Sequence, residues 1–164
     1  MAGRSSTRTA SRSRSPKPQA FSDKWDLTHL VKNPTRQLDA LVAEMEAKVV
    51  RIEAARPGLS PAMPSQDFFA LLRLSEAIAQ GSSRLGAFAY LWFSENTKDA
   101  AARSFKTQVE ERLTALNNRL LFFELWWQSV DDTNAARLMA DAGDLRYHLE
   151  TIRRFKPHTL SEPE

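Results

Sequence analysis

Between Thr35 and Arg56 the apolar residues fall at Leu38, Leu41, Val42, Met45, Val49 and Ile52. Their steps of three and four belong to one face of an α-helix. Asn33 and Pro34 supply a start, as N-cap and first helical residue. Pro57-Gly58 supplies a stop. Glu44 and Lys48, four residues apart, mark the outer face. Leu59 to Pro64 contains two prolines and reads as a loop. Ser65 is then expected to cap a second helix, with Asp67 in its first turn and Phe68, Phe69, Leu71, Leu72 and Ile78 on its apolar side. Gly81-Ser82-Ser83 is expected to interrupt that helix. A third follows from about Ser83 to Phe93, with Leu85, Phe88, Ala89 and Trp92 inward. Gly86 beside Ala87 fits either a close helix–helix approach or a tolerated helix glycine.

Asn96-Thr97 is expected to open the longest helix. Ala102, Phe105, Val109, Leu113, Leu116, Leu120, Phe123 and Trp127 recur at a mean spacing of about 3.6 residues, the helical period. From Leu120 to Trp127 the pattern changes, because LLFFELWW is apolar nearly all round. A helix of that kind is buried on more than one side. Leu121, Phe122 and Trp126 lie off the main stripe and therefore need a second partner. The cluster Phe122, Phe123, Trp126 and Trp127 admits three readings: core of this domain, interface to another domain or chain, or ligand pocket. Two shorter helices are predicted at about Asp132–Ala142 and Asp144–Phe155, with Gly143 between them as a C′ residue and Pro157 ending the last.

Upstream, Trp25, Leu27, Leu30 and Val31 are expected to dock a short segment onto the helical body. No stretch alternates with period two, and no Asn-Gly or Asp-Gly hairpin signal occurs. The predicted fold is all-α: an antiparallel bundle of about five or six helices spanning residues 21–164, preceded by a tail.

Charge sharpens that division. Residues 1–20 hold five of the 23 basic residues and none of the 20 acids, leaving 18 basic residues against 20 acids in the rest. The basic character therefore belongs to a Ser/Arg-rich tail, expected to be disordered because it has almost nothing to bury. A nucleic-acid face across the whole domain is disfavoured; salt-sensitive contact through the tail is the residual version of that idea. The tail lacks the apolar core of a secretory signal. No apolar run approaches the ~18–20 residues needed to span a bilayer. With no Cys, disulfide scaffolds, Cys-based zinc modules, iron–sulfur clusters and a cysteine nucleophile are excluded for this chain.

The search for chemistry within the chain is negative. His29, His148 and His158 are separated by 119 and 10 residues, so no pair has the i, i+4 spacing of a helical zinc site. His148-Leu149-Glu150 only echoes such a motif, because position 152 is Ile. The glycines are scattered, and no G-x-S-x-G elbow occurs. Glu110-Glu111 and Asp131-Asp132 are sequence neighbours, which diverge on a helix and read as solvated faces or caps. No catalytic, cofactor-binding or metal-ligating residue is assigned.

The ordered part nevertheless resembles the N-terminal region of oligoendopeptidase F, a zinc metallopeptidase family of thimet-oligopeptidase type. Trp25-Asp26-Leu27-Thr28 is similar to the family's "WDL-[ST]" opening. The likeness continues through Ala87-Phe88-Ala89-Tyr90-Leu91 and the Asn96-Thr97 step. Leu121-Phe122-Phe123-Glu124-Leu125 is similar to its "FFEL" segment. Tyr147-His148-Leu149-Glu150 follows, and the run from Arg153-Arg154-Phe155-Lys156-Pro157-His158 to Thr159-Leu160-Ser161-Glu162-Pro163-Glu164 is similar to "R-F-x-P-H-x-L-S-E-x-E-E".

The resemblance covers about residues 21–164 and implies a parent enzyme that hydrolyses oligopeptides. In that family the zinc is held by an H-E-x-x-H helix and a downstream Glu, all C-terminal of the matched region. None of these ligands is carried over, and zinc is expected only in the parent. This chain would supply one wall of the substrate channel, with Leu121, Phe122 and Trp126 as interdomain interface. It would be inactive alone. Its partners would be the catalytic domain and short peptides, with no membrane partner, in the cytoplasm. The alternative is a self-standing helical interaction module that uses the Phe122/Trp126 face.

Overall fold

A computed structural model describes residues 24–158. The basic tail 1–20 and the stretch from Thr159 to Glu164 lie outside the described residues. Five α-helices make up the fold: α1 Pro34–Ala55, α2 Ser65–Glu95, α3 Ala100–Ser129, α4 Asp132–Met139 and α5 Arg146–Arg154. Single 3₁₀ turns follow α1, precede α5 and close the described chain. There is no strand among the described residues, so the all-α expectation holds.

Three long helices run up, down and up. Contacts between α2 and α3 pair the start of one with the end of the other: Phe68 meets Phe123 and Trp127, while Phe88 meets Phe105. The α1–α3 ion pairs Asp39–Arg112 and Glu53–Arg119 advance together along both helices, as parallel neighbours require. The predicted stripes face the shared core. On α1, Leu38, Val42, Met45, Val49 and Ile52 are buried. On α3, Ala102, Phe105, Val109, Leu116, Phe123 and Trp127 are buried, while Leu113 and Leu120 pack at its edge.

The expected break at Gly81-Ser82-Ser83 does not occur; α2 is one helix of 31 residues. A helix glycine costs about 1 kcal/mol relative to Ala, less than burial of one large apolar side chain contributes. Ile78 and Leu85, on either side of the tripeptide, are both buried and hold the helix together. Gly81 also has a packing reason: a Cβ there would lie 2.9 Å from the Met45 sulfur. The Ser82 hydroxyl reaches the same sulfur at 3.6 Å. α2 is therefore one residue longer than α3, which was expected to be the longest.

Two helix starts differ from expectation, and the α1 start keeps its expected residues. Ser65 is the first residue of α2 and not its cap; Pro64 holds the cap position, and its carbonyl accepts from the Asp67 and Phe68 N–H groups. At α3, Asn96 accepts from the Lys98 N–H in a turn, and the cap is Asp99, which accepts from Ala101 and Ala102. Asn33 stands at the N-cap of α1 without a side-chain cap bond; its own N–H donates to the Gln37 side chain. Trp25 is 55% exposed, contrary to its expected docking; its N–H donates to Glu95, while Val31 makes the buried anchor.

The last two helices are shorter than predicted. Gly143 does take the left-handed conformation, at φ +54°. It stands beyond the α4 cap residue Ala140 and opens the 3₁₀ turn ahead of α5. Both short helices are tied to the open end of the bundle by arginines. Arg137 of α4 donates to the Pro61 and Met63 carbonyls in the α1–α2 loop. Arg153 of α5 donates to the carbonyls of Trp127 and Val130.

Gly86 distinguishes the two readings left open above. A Cβ there would meet only the Leu113 Cδ1, at an ordinary 3.7 Å. The helices do not need glycine at that point, so Gly86→Ala should stabilise the fold by about 0.5–1 kcal/mol. A urea titration checks this; a lower midpoint would mean that the close approach is real.

Candidate functional site

The FFEL segment sits in the last third of α3, where the apolar pattern widens. Its side chains divide between two environments. Phe123 is buried on the main stripe. Trp126 is half-buried against Phe68 of α2, with ring centres 6.0 Å apart, and stacks on Phe123 at 5.9 Å. Much of the second partner that Trp126 requires is thus the start of α2, within this chain. Phe122 is half-buried on the opposite flank, with the Arg56 guanidinium 4.7 Å above its ring. Leu121 points outward and is 52% exposed.

Leu121, Phe122 and Leu125 form the apolar side of an open groove of about 490 Å³. Its other side comes from the end of α1 and the adjoining turn, through Glu53 and Arg56, with Asn118 and Arg119 on α3. Of the three residues expected at an interface, the structure brings Leu121 and Phe122 into this groove and leaves Trp126 outside its lining.

Arg119 grips Glu53 with two bonds, Nε to Oε1 at 2.8 Å and Nη2 to Oε2 at 2.6 Å. The fork of a guanidinium matches a carboxylate in this way and fixes the relative rotation of α1 and α3. Those hydrogen bonds, followed by burial acting against them and by the charge of Arg119, leave the Glu53 carboxyl below its ordinary value. Chemically the groove offers an aliphatic and aromatic wall beside hydrogen-bond donors. That is an arrangement for binding a surface, and it contains no nucleophile paired with a base.

The remaining candidates have structural roles. Asp131 caps α4 through the Asn134 N–H, and Asp132 takes Arg153. Glu110 pairs with Lys106. In the Tyr147-His148-Leu149-Glu150 run, Leu149 is buried, Glu150 pairs with Arg146, and Tyr147 is 69% exposed. Among the described residues, no three acidic or histidine side chains come together as a metal site. Nor is any helix there long and apolar enough to cross a membrane. Sequence reasoning missed Glu53, Arg56 and Arg119. The pair Glu53–Arg119 spans 66 positions, and no local spacing signals a contact of that range.

Comparison with protein-family models, with curated proteins and with solved structures finds no match for this chain.

Two measurements follow from this geometry. Leu121→Ser should change stability by less than about 0.5 kcal/mol, as at an exposed position, whereas Phe123→Ala should cost about 3–5 kcal/mol. Urea titrations of the two variants separate groove lip from core. For Glu53, a carboxyl lowered on folding stabilises above its unfolded pKa, near 4.5, and that contribution is lost as pH falls through the lowered folded value. The melting-temperature gap between the native chain and Glu53→Gln should be flat near neutrality and close below about pH 4.5.

Proposed function

We propose that this chain is the N-terminal helical portion of a zinc oligopeptidase of the oligoendopeptidase F type. In that role it supplies one wall of the peptide channel and packs against the catalytic domain. The observation that most supports this reading is the two-sided use of Leu121-Phe122-Phe123-Glu124-Leu125. One side of that run closes the core through Phe123, and the other lines an open groove through Leu121, Phe122 and Leu125. A wall segment needs both functions.

Two other resembling segments have definite positions among the described residues, while Thr159 to Glu164 of the last run lie outside them. In the Trp25-Asp26-Leu27-Thr28 opening, Asp26 accepts from the N–H and hydroxyl of Thr28. Leu149 of the Tyr147–Glu150 run accepts the Trp127 indole N–H. Among the described residues no three acidic or histidine side chains come together as a metal site, and no chemical step is assigned to these residues. In this reading the metal belongs to the catalytic domain, short peptides are the substrates, and the cytoplasm is the compartment.

Sequencing the source DNA downstream of the Glu164 codon tests the proposal. The expected result is a frame that continues to an H-E-x-x-H helix. A stop codon, with no such motif in a neighbouring frame, overturns it in favour of a self-standing interaction module.

A further inference from the structure

A second concave surface lies on the opposite side of α1 from the FFEL groove, where α1 meets α2. Its upper part, about 380 Å³, is lined by His29 and Lys32 from the segment before α1 and by Arg84 of α2. Its lower part, about 360 Å³, continues between the two helices past Met45, Lys48 and Gly81. Leu41, Glu44 and Arg84 line both parts, so the two form one channel. The upper wall is held in place by its own turn, in which the Leu30 and Val31 N–H groups donate to the Leu27 carbonyl and Val31 is buried.

Charge in this channel is unbalanced. Glu44 is its one acidic side chain; Lys48 holds it at 2.7 Å, and the Arg84 charge lies close enough to act on it as well. With Lys32 counted, three cations share one acid. Lys32 and Arg84 make no ion pair among the described residues. Six other arginines of the domain, by contrast, are engaged with side-chain oxygens. Between the cations the floor is aliphatic, through Leu41, Ala40 and Ala77.

We propose that this channel binds a short, extended acidic peptide segment, whose carboxylates meet Lys32 and Arg84 while an apolar side chain lies over Leu41. Three features favour a peptide over a nucleic acid or a free phosphate. No Phe, Tyr or Trp lines the channel, so the His29 imidazole is the one ring there on which a base could stack. The N–H groups of Thr28, Leu30 and Val31 are spent within the turn, which removes three of its amides from any phosphate cradle. A guanidinium beside an aliphatic floor matches a carboxylate-bearing chain with apolar residues between its acids. The inference does not depend on the oligopeptidase reading, since it concerns a different face of the domain.

The test is fluorescence anisotropy of the full chain with a labelled hexapeptide of alternating glutamate and leucine. The native chain should bind it, more weakly as salt rises. Lys32→Gln with Arg84→Gln should weaken binding about tenfold, the scale of two exposed charge pairs. Gln80→Glu, at an exposed position on the channel wall, should weaken it about threefold. It also replaces the Gln80 amide's bond to Glu76 by a like-charge pair, a small cost on one helix face. Arg36→Gln with Arg51→Gln removes two exposed cations outside the channel and should leave affinity within about twofold. Three results overturn the proposal: no binding; channel variants that bind like the native chain, which would assign the peptide to the basic tail; or a thymidine hexanucleotide that binds more tightly than the peptide and loses that affinity in the channel variants, which would make the channel a nucleic-acid site.

Discussion

The joint around Trp127 ties α2, α3 and α5 together. Its indole is 2% exposed and stacks on Phe68 of α2 at 5.0 Å. Its ring N–H donates to the Leu149 carbonyl of α5 at 3.1 Å. Arg153 lies over the same ring at 5.3 Å and donates to the carbonyls of Trp127 and Val130, at the C-terminus of α3. A helix end leaves carbonyls without intrahelical partners and carries partial negative charge, so a cation there satisfies both needs. One aromatic residue thus connects three helices, and its neighbours inherit their positions from it. Phe68 can meet Phe123, Trp126 and Trp127 together because α2 and α3 are locked at this level.

That lock explains why the broad apolar stretch of α3 is not uniform in use. The start of α2 covers the Trp126 side of the helix, whereas the end of α1 leaves room on the Phe122 side. Arg56 partly covers the Phe122 ring, and the Arg119–Glu53 pair holds α1 and α3 in register beside it. An exposed ion pair contributes little net stability, but a two-bond fork constrains orientation. The same residues therefore set the shape of the groove and supply its polar side. A catalytic domain packing here would meet a preformed surface with an apolar wall.

The long helices were largely legible from periodicity. Leu38 to Ile52 and Ala102 to Trp127 repeat at the helical spacing, and the positions on those stripes enter the core or pack at its edge. Local punctuation was a poorer guide. Gly81-Ser82-Ser83 reads as a break because glycine lowers helix propensity, yet Ile78 and Leu85 bury on either side and outweigh it. Asn96 and Asp99 are both cap-forming residue types three positions apart; only the course of the chain decides that Asp99 receives the Ala101 and Ala102 N–H groups.

By itself the amino-acid sequence determined the helical class, the inward stripes, and the placing of Leu121, Phe122 and Trp126 off the main seam. Those properties follow from local spacing, because a helix turns by a constant angle per residue. Only the tertiary structure decided what each of the three meets. Trp126 finds Phe68, 58 positions earlier, Phe122 finds Arg56, 66 positions earlier, and Leu121 is left at the groove lip. Such contacts depend on how α1, α2 and α3 cross, and the crossing is set by the packing of the whole core.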